Sequence, residues 1–125
     1  MAPDAAYCPQ RGDVVWLTLL PQTGHEQSGR HPVLVLSPRR YNARVGLCLV
    51  CPVTTAVKGY PFEVALPDDG PVTGVVLADQ LKSVDWRARK AQWGMPATPD
   101  VVEDVLARLR ALLDADEWDK AEEMA

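Results

Sequence analysis

The 125-residue sequence predicts a mainly β domain, a small, strongly curved antiparallel sheet or partly open barrel, with one C-terminal helix. Three observations predict it. Between Gly12 and Trp86, short runs rich in β-branched and aromatic residues recur between Pro, Gly and Asp turn signals. Apolar residues hold a helical spacing only beyond Thr98. The length suffices for one packed core and not for two, so residues 1–113 form one domain and 114–125 an acidic tail.

The elements follow in order. Residues 1–11 carry Pro3 and Pro9 without periodicity and read as an irregular arm. Gly12-Asp13 opens a first strand, Val14 to Leu20, which Pro21 ends. After a loop to His31, Pro32 to Ser37 is apolar on both faces and reads as a central, covered strand; proline is tolerated at its first position. Arg39 to Arg44 reads as a basic connection, and Leu47 to Thr55 as a third strand with Pro52 near its end. A turn over Ala56 to Pro61 leads to a half-buried fourth strand, Phe62 to Leu66. Pro67 to Pro71 is turn chemistry, and Gly74–Asp79 and Leu81–Trp86 are two more short strands. Arg87 to Met95 fits either a turn of helix or a last short strand containing Trp93. Thr98 is a good N-cap, Pro99 suits the first helical position, and Val101, Val102, Val105, Leu106, Leu109, Leu112 and Leu113 make the buried stripe of a final helix.

Composition narrows the class of function. With 47% hydrophobic and 24% charged residues the chain is an ordinary soluble domain rather than a disordered one. No apolar run approaches the roughly 18 residues needed to cross a bilayer, and Met1–Cys8 lacks the basic flank and apolar core of a secretory signal. The three cysteines, Cys8, Cys48 and Cys51, read as reduced thiols of a cytoplasmic protein. Cys48 and Cys51 have Cys-x-x-Cys spacing but lie on a strand, where residues three apart point to opposite faces, so neither a redox pair nor a metal site is expected. The net charge of −4 is uneven. Asp114, Asp116, Glu117, Asp119, Glu122 and Glu123 face only Lys120 in the tail, whereas from Arg30 to Lys90 nine basic residues outnumber five acidic ones. The body can present a positive surface to a polyanion.

The densest polar stretch is Gly24-His25-Glu26-Gln27-Ser28-Gly29-Arg30-His31-Pro32, leading into Val33-Leu34-Val35-Leu36. A carboxylate, an amide, a hydroxyl, a guanidinium and an imidazole so close together are costly to bury and belong on a surface loop. That is either a solvated hairpin tip or a mount for functional groups. His25 reads as a plain loop residue.

With these residues in view, the chain resembles the MazF family of toxins, also called PemK-like, from bacterial toxin-antitoxin pairs. The resemblance runs from about Gly12 to Leu113. It rests on Arg11-Gly12-Asp13-Val14-Val15-Trp16, on Glu26-Gln27-Ser28-Gly29 with Pro32, and on Leu36-Ser37-Pro38 with Tyr41-Asn42. It continues through Pro52-Val53-Thr54-Thr55, Lys58-Gly59-Tyr60-Pro61-Phe62-Glu63-Val64, and Ala78-Asp79-Gln80-Leu81-Lys82-Ser83 with Trp86-Arg87-Ala88-Arg89. Each block is weak alone; six in order form a specific pattern.

The resemblance implies an SH3-like barrel with a C-terminal helix, a homodimer, and a metal-independent, cofactor-free endoribonuclease. Such an enzyme cuts single-stranded RNA at short sequences, leaving 2′,3′-cyclic phosphate and 5′-hydroxyl ends, and a cognate MazE-like antitoxin inhibits it. Family members use the residue before the loop proline, usually arginine, together with the first threonine of the Pro-x-Thr-Thr block. Here that threonine is Thr54, His31 fills the arginine slot, and Arg30 stands one place early. Histidine can take or give a proton near neutrality; arginine is a phosphate clamp. The expectation is therefore that His31 acts as acid or base, Arg30 clamps the phosphate and Thr54 hydrogen-bonds to it. Alternation along a strand is the objection to using both Arg30 and His31.

Glu26 and Gln27 either position the loop, which we favour, or read base edges. Lys58, Gln80, Lys82 and Arg87 are candidates for RNA contact, Gln80 and Lys82 equally for a dimer contact. Trp16, Trp86 and Trp93 are candidates to stack bases, though at least Trp16 and Trp86 read rather as core. A rival function is a CcdB-like toxin that binds DNA gyrase and does no chemistry. The acidic tail, with Trp118, either extends the helix as a solubilising end or competes with RNA for the basic groove.

Overall fold

A computed structural model describes residues 7–18, 29–114 and 116. Among them the chain runs β1 (Asp13–Thr18), β2 (Arg30–Val35), α1 (Arg39–Val45), β3 (Leu47–Thr54), β4 (Glu63–Ala65), β5 (Val75–Leu77), β6 (Lys82–Asp85), β7 (Gln92–Pro96) and α2 (Pro99–Leu113). All pairing is antiparallel, in the order β4-β5-β3-β2-β1-β7, with β6 also on β3. Since β7 pairs with β1 and β6 with β3, but not with each other, the sheet curls without closing. The expected mainly β fold with a C-terminal helix is thus present, as an open rather than a sealed barrel.

Both faces of the sheet are apolar, and alternation along the strands divides them. Val15, Leu17, Val33, Val35, Cys48 and Val50 join Val84 and Trp86 in one cluster. Val14, Leu34, Cys51 and Val53 join Val64, Val76 and Met95 beneath Val101, Val102, Val105 and Leu109 of α2 in the other. Cys48 and Cys51 therefore face opposite ways, both as free thiols, and burial pushes each thiol up to about 12. Thr98 caps α2 by accepting the Val101 amide, as its sequence position suggests.

Two details depart from the sequence reading, and one alternative is decided. Arg39–Val45, read from the sequence only as a basic connection, is a short helix, ended by Gly46 at φ 84. It lacks an apolar stripe because one polar residue anchors it. The Asn42 side chain is fully buried, donates to the Pro9 and Ser37 carbonyls at 2.8 and 3.0 Å, and accepts the Ser37 hydroxyl at 2.6 Å. Next, β2 begins at Arg30, two residues before Pro32. The Val35 carbonyl accepts the Gly12 amide and the Leu36 amide donates to Leu49, so by alternation the Pro32 nitrogen faces β3, beyond the last β2–β3 pair at Val33–Pro52. The missing donor there costs no ladder bond. Pro52 likewise falls where the outer edge of β3 passes from β6, paired up to Val50, to β5, paired from Val53. Of the two alternatives for Arg87–Met95, the strand is the one found, as β7 on β1.

Candidate active site

The start of β2, the end of β3 and the start of β6 meet at one end of the curled sheet. Register decides which side chains share it. The β2–β3 ladder ends at Val33–Pro52, and two residues further on it sets His31 opposite Thr54. Opposed residues on antiparallel strands project to the same face. Lys82 pairs with Val50, which pairs with Val35, so Lys82 shares that face too. His31, Thr54 and Lys82 therefore rim the cluster formed by Val33, Val35 and Val50.

Arg30 lies on the other face, opposite Thr18. Its guanidinium donates to the Thr18 hydroxyl at 2.8 Å, the Trp16 carbonyl at 2.9 Å and the Lys90 carbonyl at 2.7 Å. The group is spent tying β2 to β1 and to the turn before β7. Continued past its last pair, the register puts His31 on the face of Thr54 and Arg30 on the other.

Half-burial holds the His31 imidazole below its ordinary value, and the Lys82 ammonium lowers it further. Both effects disfavour the imidazolium, so near neutrality His31 is a free base. Thr54 Oγ1 accepts the Ala56 amide at 3.0 Å, which leaves its own O–H available to donate. Against Thr54 the backbone is tight: a Cβ at Gly74, φ +109, would stand 2.2 Å from the Thr54 carbonyl oxygen, so only glycine lets the β4–β5 loop pass.

From Thr54 a cavity of about 510 Å³ opens, lined by Ala56, Lys58, Tyr60, Glu63, Leu77 and Gln80. Glu63 shapes it. Its carboxylate accepts the amides of Lys58, Gly59 and Tyr60 at 2.9, 3.0 and 3.3 Å, holding that loop in a tight turn with Gly59 at φ 77. The Tyr60 hydroxyl donates to Asp79, pinning the loop to the β5–β6 turn, and this bond raises the Tyr60 phenol. Glu63, Tyr60 and Asp79 carry the pocket yet did not stand out as site residues. The signal was a carboxylate placed three to five residues after a glycine-containing turn.

Of the other expected contacts, Lys58 and Gln80 line the cavity, while Lys82, opposite Val50, acts through its charge on the His31 imidazole. Arg87 does not join them. Its guanidinium stacks on Trp86 at 4.3 Å, near Gly46. That is the Leu47 end of β3, roughly 23 Å along the strand from Thr54 at about 3.3 Å per residue. Glu26, Gln27, His25 and the tail residue Trp118 lie outside the described residues. Among the described residues no group of three His, Cys, Asp or Glu is placed to hold a metal ion.

The rim thus sets a histidine and a lysine near a cavity far larger than a single nucleobase, and comparison with known proteins gives the family. The family model described as PemK-like, MazF-like toxin of type II toxin-antitoxin system matches residues 10–113. The chain is 44% identical over 107 residues to the endoribonuclease toxin MazF of Escherichia coli K12, covering 86% of this chain and 96% of the relative. It is 39% identical over 110 residues to the endoribonuclease toxin ChpB of the same strain, covering 84% and 94%. The crystal structure of MazE-MazF (Form-II) from Deinococcus radiodurans superposes with a TM-score of 0.82 at 53% identity, over 86% of this chain and 96% of that one.

Proposed function

The chain belongs to the PemK-like, MazF-like toxins of type II toxin-antitoxin systems, and from that premise we propose how it cuts RNA, with His31 as the general base. It is an endoribonuclease toxin held in check by a cognate antitoxin, the activity named for its E. coli relatives and the pairing seen in the D. radiodurans complex. The rival gyrase-binding reading finds no support among these relatives and makes no use of a neutral histidine beside Thr54.

The observation that carries the proposal is the strand register, which supports His31 on the face of Thr54 and Arg30 on the opposite face. Single-stranded RNA lies with one base in the cavity beside Thr54 and its phosphate at the rim. His31 takes the proton of the 2′-hydroxyl. The 2′-oxygen attacks phosphorus, and the Thr54 hydroxyl and the Lys82 ammonium stabilise the charge gathering on the phosphoryl oxygens. The bond to the 5′-oxygen breaks and that oxygen takes a proton from solvent water, giving 2′,3′-cyclic phosphate and 5′-hydroxyl ends, while His31 returns its proton to solvent. Neither a metal nor another cofactor has a part in these steps. Lys58 and Gln80 bind RNA along the cavity, while Arg30 is a positioning residue that fixes the start of β2.

A homodimer is part of the same reading. It is supported by an apolar groove of about 450 Å³ lined by Leu36, Leu49, Leu81, Leu106, Leu109 and Leu113, with Leu113 79% exposed. No described helix is long and apolar enough to cross a membrane, and the free thiols and an RNA substrate fit the cytoplasm.

The test is incubation of a long mixed RNA with the pure protein in EDTA, mapping the new ends. Cuts at one short sequence with 5′-hydroxyl termini are expected. No cleavage, or cleavage that needs added metal, would overturn the mechanism.

A further inference from the structure

We propose that Trp93 is a stacking platform for a base flanking the cleaved phosphate, a second RNA subsite beyond the His31–Thr54 rim. The inference rests on the ribonuclease reading above. Among the described tryptophans, Trp86 is buried with its indole N–H donated to the Asn42 carbonyl, and Trp16 packs against the core beneath α2. Trp93 is 52% exposed and belongs to neither apolar cluster.

One exposed aromatic is ordinary; its position is what argues. Val15 pairs with both Trp93 and Val33, so these three form one row across the sheet, and His31 stands in the next row on the same face. Two strand spacings and one two-residue step put Trp93 about 12 Å from His31, the reach of a neighbouring nucleotide rather than the one cut. The root of the side chain is fixed. A Cβ at Gly94 would meet the Val14 carbonyl at 2.9 Å and Trp16 Nε1 at 3.0 Å, so β7 lies hard against β1.

The surroundings select a polyanion. From Trp86 to Pro99 the chain carries no carboxylate, and Arg89 and Lys90 stand in the turn before β7. Arg89 and Lys90 are brought to the His31 end of the sheet, the Arg89 carbonyl accepting the Thr18 amide and the Lys90 carbonyl accepting Arg30. An aromatic face with cations beside it is how single-stranded nucleic acid is held without reading its sequence.

The test measures binding of an uncleavable, mixed-sequence 2′-O-methyl RNA pool by fluorescence anisotropy at one fixed salt concentration. Trp93→Ala is expected to weaken binding about tenfold, within the range for one lost base stack, and Trp93→Phe to keep most of the affinity. Against an abasic ribose-phosphate oligomer, wild type and Trp93→Ala should bind alike, which a merely structural role would not produce. Unchanged affinity of Trp93→Ala for the RNA pool, or an equal loss on the abasic oligomer, would overturn the stack alone. So would weaker binding of a cognate antitoxin with RNA affinity intact, which would make this a protein contact. If the wild type does not bind the RNA pool, the ribonuclease reading fails and the subsite with it.

Discussion

Replacing the neighbours His31 and Arg30 separately should give opposite phenotypes, because the register sends them to opposite faces. His31→Ala removes the base and little else: among the described residues no hydrogen bond of its side chain supports the fold, and the site is only half-buried. Loss of a positioned general base costs roughly 10²- to 10⁴-fold in rate, or about 3–5 kcal/mol of transition-state stabilisation. Arg30→Ala removes three hydrogen bonds at 2.7 to 2.9 Å to Thr18, Trp16 and Lys90. Because that group is solvent-exposed, each bond is worth well under the buried value, and about 1–2 kcal/mol of stability should go with them. Cleavage by Arg30→Ala should stay within about tenfold of wild type, since the guanidinium is bonded to Thr18, Trp16 and Lys90 on the face away from His31. Single-turnover cleavage of an oligonucleotide carrying the mapped site, with thermal melts of each variant, reads both quantities. A hundredfold slower Arg30→Ala with unchanged melting, beside a His31→Ala within tenfold of wild type, would refute the assignment and return the phosphate to the arginine.

The pH profile follows from the same geometry. With His31 held below its ordinary value by burial and Lys82, the rate should rise from acid with a midpoint under pH 6.5 and be flat at neutrality; Lys82→Met should move that midpoint upward, and a midpoint that stays put would show that Lys82 does not act on His31. The sign for stability is the same. The folded state disfavours the imidazolium, so the stability present above pH 6.5 declines as pH falls below it, and urea midpoints for wild type but not His31→Gln should show that decline. Asn42→Ala deletes three buried hydrogen bonds to Pro9 and Ser37 and should cost about 3 kcal/mol in urea unfolding; a cost under about 1 kcal/mol would mean that α1 docks without them. Glu63→Gln keeps the shape but places an amide donor against one of the three amides it now accepts, so RNA affinity should fall several-fold with overall stability within about 1 kcal/mol, and equal RNA affinity would show that the Lys58–Tyr60 loop is held by other means.

Much of the fold was legible because its signals are local. Thr98-Pro99 announced α2, alternation placed Cys48 and Cys51 on opposite faces, and the turn residues around Asp68-Asp69-Gly70 separated β4 from β5. What the sequence did not disclose is long-range. The helix Arg39–Val45 carries no apolar periodicity, because what holds it is a bond from Asn42 to Pro9, a residue thirty-three positions earlier. The strand Arg30–Val35 starts before its proline because the Pro32 nitrogen faces a gap, which depends on where β3 stops pairing. The choice between Arg30 and His31 is of this kind. In sequence they are adjacent and chemically both credible, and the motif, with its arginine one place early, favours neither. Only the β2–β3 register decides, and a slip of one residue would exchange their faces. That register is locked by Leu34 and Cys51 packing on one face and by Val33, Val35 and Val50 on the other, so the apolar residues of the two cores determine which side chain of β2 shares the face of Thr54.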